Sequence, residues 1–185
     1  ISMKTTYAIT IFVVALSLTL AACGGQSTSS ETDGTETTSA DSTAETDAVS
    51  AASIVDTAEG FLEAAGANGT WIIAVTKDLT IDQEIVLDGE FTRRDELARK
   101  IALYDQDADR NVTARYTLTA PRLVVRSPNA RIQGGTFVGD VYVEATGFQV
   151  IDATVDGNIY FATEEQQSSF TIEDGEVTGE TALQE

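Results

Sequence analysis

Residues 148–158 read FQVIDATVDGN, and residues 170–180 read FTIEDGEVTGE. The two stretches share the pattern Phe-x-(Val/Ile)-x-Asp-small-x-Val-x-Gly, and the second begins 22 residues after the first. A second repeat relates residues 137–143 (FVGDVYV) to residues 155–161 (VDGNIYF) with a spacing of 18 residues, and one further step upstream reaches residues 121–125 (PRLVV). Strand-like runs that recur about every twenty residues are typical of a β-solenoid, in which stacked turns bury each other's inward side chains.

The two spacings also predict which side chains stack on one another. The inward stacks are Leu123, Val141, Ile159 and Thr181; Val125, Val143, Phe161 and Leu183; Phe148 and Phe170; and Val150 and Ile172. The same register places Arg122 beside Asp140 and Arg126 beside Glu144, two pairs of opposite charge. Opposite charges on neighbouring strands attract, so several arginines are expected to form surface ion pairs.

Upstream of the repeats, apolar residues recur at the spacing of an α-helix. Ile54, Ala58, Phe61, Leu62 and Ala65 recur at helical spacing, Ser53 with Asp56 is typical of an N-cap, and Gly66 and Gly69 follow. Strand-like runs then occupy residues 71–75, 84–87, 101–104 and 115–118. We therefore expect an all-β fold, a right-handed parallel β-helix or solenoid over residues 71–185, with an N-terminal capping α-helix at residues 53–65 that covers the first sheet edge.

The N-terminal segment has the features of an export signal. Lys4 precedes an uncharged apolar run that ends in Leu20-Ala21-Ala22-Cys23, which resembles a bacterial lipobox. We expect residues 1–22 to be a lipoprotein signal peptide and Cys23 to carry the lipid that anchors the chain to the membrane. An ordinary secretory signal with an incidental cysteine is the alternative. Residues 23–52 are rich in Ser, Thr and acidic residues and nearly free of large apolar ones, which predicts a disordered tether.

Composition excludes several classes of function. The 185 residues include no histidine and one cysteine, and the formal net charge is −19. Serine–histidine triads, imidazole-bound zinc and an internal disulfide framework are therefore excluded, and direct binding to nucleic acid is disfavoured. The segment 93–131 holds nine of the eleven basic residues, whereas residues 132–185 carry eleven acids and no base.

Two groups of residues are candidate binding sites. Asp105, Asp107, Asp109 and Asn111 place oxygen ligands at alternate positions, as a calcium loop does. However, Arg110 stands where an EF-hand has glycine and Tyr116 where it has glutamate, so a solvated turn is the favoured interpretation. The second group is Tyr142 and Tyr160, which align on the outside as an aromatic ladder beside Asp140 and Asn158. Aromatic faces flanked by polar groups bind sugar rings, and a stabilising cross-strand pair is the alternative.

The repeats and the stacked Val, Ile and Phe positions resemble right-handed parallel β-helices of the pectin-lyase-like group over residues 53–185. The steps Gly139-Asp140-Val141 and Gly157-Asn158-Ile159, in turns of 18 residues, are also similar to bactofilins, which form polymers. Taken whole, the chain resembles lipoproteins of Gram-positive bacteria. The first resemblance implies a basic residue acting with acidic calcium ligands in a polysaccharide lyase, for which Arg131, Asp152 and Asp156 are the candidates. Asp152 and Asp174 occupy equivalent repeat positions, which favours a turn role for both.

These observations together predict a lipid-anchored protein on the extracytoplasmic face of the cell membrane. Its domain is expected to be a monomeric surface binding or structural module, with cell-wall or host glycans as candidate ligands. A bactofilin-like self-assembling protein is the alternative, and a polysaccharide lyase or hydrolase ranks behind both because no catalytic constellation is found. No cofactor is expected unless the loop at residues 105–111 binds calcium.

Overall fold

The computed structural model describes residues 52–184, which are mostly β-strand. The predicted signal peptide, Cys23 and the tether up to residue 51 lie outside the described residues. In chain order the elements are β1 (Ser53–Val55), α1 (Ala58–Ala65), β2 (Ile72–Val75), β3 (Leu79–Thr80), β4 (Ile85–Leu87), β5 (Thr92–Arg93), β6 (Glu96–Leu97), β7 (Arg99–Ala102), β8 (Tyr104–Gln106), β9 (Val112–Arg115), β10 (Thr117–Val125), β11 (Ala130–Gln133), β12 (Thr136–Val143), β13 (Gln149–Ile151), β14 (Thr154–Asp156), β15 (Ile159–Phe161), α2 (Glu164–Ser168), β16 (Thr171–Glu173), β17 (Glu176–Val177) and β18 (Thr181–Leu183). Within residues 52–184, no helix has the length and apolar character needed to span a membrane.

Fourteen of the strands form two parallel sheets, between which the chain alternates from β2 onward, and the other four form the antiparallel hairpins β5–β6 and β8–β9. The first sheet has the order β1-β2-β7-β11-β13-β16. In the second sheet, β3 and β4 pair with the long strand β10, β10 pairs with β12, and β12 pairs with β14 and β15, which in turn pair with β17 and β18. Each passage of the chain therefore adds a rung to both sheets. The all-β class with parallel pairing is confirmed.

The predicted register is confirmed at every stacked position. Leu123, Val141, Ile159 and Thr181 are successive partners, as are Val125, Val143, Phe161 and Leu183. Val150 pairs with Ile172, and the rings of Phe148 and Phe170 stack with centroids 5.8 Å apart. Most of these side chains belong to one continuous hydrophobic core.

The prediction that the last members of the stacks are buried is wrong for three of the four stacks, whereas Phe170 is half-buried and packs against the core. Ile172 is 45% exposed and Leu183 is 39% exposed, and Thr181 is also exposed. Within residues 52–184 no further strand pairs with β16 or β18 on their outer side. These side chains therefore lack the covering layer that encloses the members below them.

The prediction of a helix over residues 53–65 is also wrong in its first turn. Ser53–Val55 is a strand that pairs parallel with β2, and the helix begins at Ala58. Thr57, not Ser53, is the N-cap, because its extended backbone lets its hydroxyl accept the Gly60 N–H at 3.1 Å. The β-branched residues of β1 suit the strand that tertiary pairing offers them.

Arg99 fastens the end of α1 to the body of the domain. It is buried, and its guanidinium donates to the carbonyl oxygens of Ala64 (2.6 Å), Gly66 (3.3 Å) and Thr70. It also lies 4.0 Å from the ring centroid of Phe91. Burial lowers the pKa of Arg99 to about 10, and the charge of Asp88 opposes this effect. The cation lies at the helix C-terminus, where the unpaired carbonyls favour positive charge.

Candidate functional site

The two tyrosines of the predicted ladder lie side by side on the outward face of the second sheet. Val124, Tyr142, Tyr160 and Ala182 are successive register partners. The rings of Tyr142 and Tyr160 have centroids 5.1 Å apart and are tilted by 39°. Both tyrosines are half-buried, whereas Val124 is buried. The predicted alignment is thus confirmed.

A cleft of about 520 Å³ opens where this ladder reaches Ala182. Ala182 stands at the register position where a third aromatic ring would continue the ladder. Because its methyl group is much smaller than a ring, a space is left beside Tyr160. Its lining residues are Arg122, Tyr142, Tyr160, Glu180, Ala182, Leu183 and Gln184. The cleft therefore combines aromatic surface with a carboxylate, an amide and a guanidinium, which is the composition of a site for a polar organic ligand.

Arg122 does not form the expected ion pair with Asp140, although the two residues are register partners. Its guanidinium lies 3.7 Å from the ring centroid of Tyr142, and Nη1 lies 3.4 Å from the Glu84 carboxylate. Asp140 instead accepts from the backbone and side-chain N–H groups of Asn158, each at 2.9 Å. Oδ1 of Asp140 thus holds the following turn, whereas Arg122 contacts the Tyr142 ring and the Glu84 carboxylate. The other expected pair, Arg126 with Glu144, is confirmed at 2.9 Å.

A polar ladder holds the turns that precede the tyrosines. Asn158 donates to Asp140, and its Oδ1 accepts the Glu180 N–H at 2.9 Å. Gly139 has φ 137°, and a Cβ there would lie 1.9 Å from the carbonyl oxygen of Ala120. Only glycine permits such a close approach between successive turns. Gly139 and the hydrogen bonds of Asn158 together hold successive turns in close contact, which fixes the positions of Tyr142 and Tyr160 along the stack.

The phenol of Tyr160 remains protonated over the physiological pH range. Burial, followed by the charge of Asp140 and the neighbouring Tyr142 and Glu180, raises the pKa of Tyr160 above its usual value. A protonated phenol can donate one hydrogen bond and also accept. Tyr160 can therefore offer a ligand hydroxyl a donor as well as a ring face.

Two of the three carboxylates of the acidic loop at residues 105–111 accept hydrogen bonds from protein groups. Asp107 accepts from the side-chain and backbone (2.8 Å) N–H groups of Asn111 and from the backbone N–H of Asp109 (3.0 Å), which lower the pKa of its carboxyl group. Asp105 accepts the Tyr116 hydroxyl at 2.6 Å. Among residues 52–184, no group of three or more His, Cys, Asp or Glu side chains is arranged to hold a metal ion. This geometry favours the solvated turn over the calcium site at Asp105, Asp107, Asp109 and Asn111.

The three residues considered for lyase chemistry lie in separate places. Asp152 accepts from both terminal nitrogens of Arg115 through its carboxylate and backbone oxygens, with the ion pair at 2.8 Å. Asp156 accepts the Thr178 hydroxyl at 2.9 Å, and Arg131 lines a different cleft from Asp152. Asp152 and Asp174 have φ values of 48° and 49°, a conformation that Asp tolerates in turns. The structure does not bring Arg131, Asp152 and Asp156 together.

Sequence reasoning missed a second cleft, of about 560 Å³, beside the first sheet. Arg93 and Arg131 both line it. From the sequence, several arginines of the segment 93–131 are expected to form surface ion pairs, and no shared site is expected. Aligning residues 99–102 with 130–133 would have placed Lys100 beside Arg131 and indicated a concentration of positive charge. The β8–β9 hairpin lengthens the intervening turn and hides that alignment.

Comparison of the chain with known proteins found no matching family model, no matching curated protein and no matching solved structure.

Proposed function

We propose that this chain is a membrane-anchored extracytoplasmic lipoprotein whose domain is a right-handed parallel β-helix that binds carbohydrate in the tyrosine cleft. Support for the β-helix comes from the alternation of the chain between two parallel sheets, with repeat spacings of 18 and 22 residues. Parallel strands joined by crossover connections are nearly always wound right-handed. Support for the anchor comes from the lipobox residues that end at Cys23.

The observation that carries the binding proposal is the cleft beside Tyr160. A sugar ring places its C–H face on an aromatic ring and directs its hydroxyl groups to polar neighbours. Here the exposed side of the Tyr160 ring adjoins Ala182, and Glu180 and Gln184 line the same space. At about 520 Å³ the cleft has the size of an ordinary small-ligand site. A pair of tyrosines that only stabilised neighbouring strands would need no cleft beside it. The cleft therefore favours ligand binding over that alternative.

Self-assembly in the manner of bactofilins is less well supported by the charges at the two ends of the stack. The outermost turn carries Glu173, Asp174, Glu176 and Glu180. At the opposite end, Asp56, Glu59 and Glu63 accompany β1 and α1. End-to-end stacking would bring these like charges together, and charged edges oppose such pairing. We therefore favour a monomeric module, and filaments seen by light scattering of the purified chain would contradict this choice.

Glycan-array binding by the purified chain tests the carbohydrate proposal. We expect the wild-type protein to retain a subset of glycans, and Tyr160→Ala to lose them because the ring platform is removed. Tyr104→Ala is the matched control, since Tyr104 lies on β8, outside the cleft. Glycan retention by a protein that carries both Tyr142→Ala and Tyr160→Ala would contradict the assignment.

Membrane fractionation and lipid labelling test the anchor. Cys23→Ala should abolish incorporation of labelled fatty acid and release the protein from membranes, because the thiol that accepts the diacylglyceryl group is gone. Cys23→Ser, which keeps the polarity and size of the side chain, should behave in the same way. Unchanged membrane association of both variants would contradict lipidation at Cys23.

A further inference from the structure

We propose that the cleft between Arg93 and Arg131, here named the basic cleft, binds an oxyanion group: a carboxylate, sulfate or phosphate. It lies beside the first sheet, whereas the tyrosine cleft lies on the second. The two clefts have no lining residue in common. The inference is therefore independent of carbohydrate binding at Tyr160.

The fold brings the two arginines together from different parts of the chain. Arg131 lies on β11, where its register partners are Lys100 and Gln149. Arg93 lies on β5, in an antiparallel hairpin with β6 whose turn residues have φ values of 53° and 66°. Asn129 holds the hairpin to the body by donating from Nδ2 to the Leu97 carbonyl oxygen at 3.0 Å. The hairpin thus forms one wall of the cleft and β11 the other.

Neither arginine has a carboxylate partner among the described residues. The ion pairs within residues 52–184 involve Arg115, Arg122 and Arg126. Glu96 is the register partner of Arg93 and lines the cleft, but its carboxylate is more than 4.0 Å from the arginine nitrogens. This lack of pairing is unexpected in a chain whose formal net charge is −19, because carboxylates are abundant.

Arg131 is the more constrained of the two side chains. It is half-buried, and its Nε is buried with no hydrogen-bond acceptor in reach. Burial, followed by the positive charge of Arg93, lowers the pKa of Arg131, whereas Tyr104 opposes the shift. Lys100, a register partner of Arg131, is a further cation and supplies no acceptor; its Nζ donates to the Tyr104 hydroxyl at 2.7 Å. A desolvated, unpaired guanidinium is costly, and a bound oxyanion would supply the missing acceptor.

The remaining lining of the cleft suits an oxyanion carried on an organic group. Guanidinium groups bind carboxylate, sulfate and phosphate oxygens in pairs, with charge-assisted hydrogen bonds. Asn129 and Gln149 add amide groups, and Leu97 and Ala98 add apolar surface. The volume of about 560 Å³ exceeds that of a single inorganic ion. The anion is therefore expected to be the charged end of a larger small molecule.

Titration of the full chain with sodium sulfate, sodium phosphate and sodium acetate tests the proposal. Chloride keeps the ionic strength constant, so that screening does not imitate binding. Calorimetry should show saturable binding of at least one oxyanion. Binding of sulfate and phosphate alone would identify a tetrahedral group, and binding of acetate as well would include carboxylates; both results support the site. Absence of saturable binding by all three anions would overturn it.

Variants locate the binding on the protein. Arg131→Gln and Arg93→Gln should each weaken the anion about ten- to a hundredfold, the range expected for losing one charge-assisted hydrogen bond. Arg126→Gln is the matched control, because Arg126 is paired with Glu144 outside the cleft. Arg93 is exposed, so its substitution tests the site even if Arg131→Gln fails to fold. Equal weakening of anion binding by Arg126→Gln, or wild-type affinity for the anion in Arg93→Gln, would overturn the proposal. Tyr160→Ala should bind the anion with wild-type affinity, which separates this site from carbohydrate binding.

Discussion

Two isoleucines that occupy stacked positions should differ sharply in their contribution to stability. Ile159 lies between Val141 and Thr181 and is 0% exposed, whereas Ile172 pairs with Val150 and is 45% exposed. Substitution by alanine removes the same three carbon groups at both positions, worth about 2.4 kcal/mol at about 0.8 kcal/mol each when fully buried. A cavity at Ile159 raises the loss there to about 3–4 kcal/mol.

Ile172→Ala should cost only about 1 kcal/mol, since roughly half of the side chain already contacts water and no closed cavity forms. Urea unfolding followed by fluorescence of Trp71, the one tryptophan, measures both values. Thermal unfolding should give a Tm lowered by about 10 °C for Ile159→Ala and by about 3 °C for Ile172→Ala. Equal losses, or a larger loss at Ile172, would refute the argument that the outermost turn lacks a covering layer.

Three further predictions follow from single residues. Gly139→Ala should lower the stability by about 2 kcal/mol or more, because its Cβ would meet the Ala120 carbonyl oxygen at 1.9 Å; Gly66→Ala, at a negative φ with contacts no closer than 3.5 Å, is the control in the same urea assay. Arg99→Met should lower the stability by about 3 kcal/mol despite its apolar side chain, because the carbonyl oxygens at the end of α1 lose their donor; a wild-type urea midpoint would contradict this. Tyr160 should titrate above the usual tyrosine pKa, mainly because of its burial. In an alkaline absorbance titration, Tyr160→Phe should therefore remove a tyrosine that ionises at higher pH than most; loss of a tyrosine with the usual pKa would contradict the raised pKa.

The register of the stack was predictable because each turn repeats the same few residue types. Phe148 and Phe170 begin matching stretches, and the glycines at positions 139 and 157 mark matching turns. Both spacings are short, so that little of the chain separates one copy from the next. The paired strands could therefore be aligned without knowledge of the fold.

Other features depend on side-chain geometry that spacing does not reveal. Arg122 is beside Asp140 in register, but its side chain lies on the face of Tyr142 and against the Glu84 carboxylate, a conformation that spacing does not reveal. Ser53 begins a strand because β2 offers it a partner, which local periodicity does not show. The β5–β6 hairpin is an insertion between repeats that leaves no trace in the repeat pattern, whereas α2 shows only as a spacing of 22 residues in place of 18. The basic cleft was missed for this reason, since the hairpin forms one of its walls.

The attachment of Arg99 to α1 has a consequence for the order of folding. The helix has eight residues, and isolated helices of that length are unstable in water. Its final carbonyls are satisfied by a side chain that is 33 to 35 residues further along the chain. The helix should therefore acquire its hydrogen-exchange protection only after β7 has docked, although it precedes β7 in the sequence. Folding is thus expected to begin among the turns in the middle of the stack. Contacts between residues so far apart in sequence also slow folding.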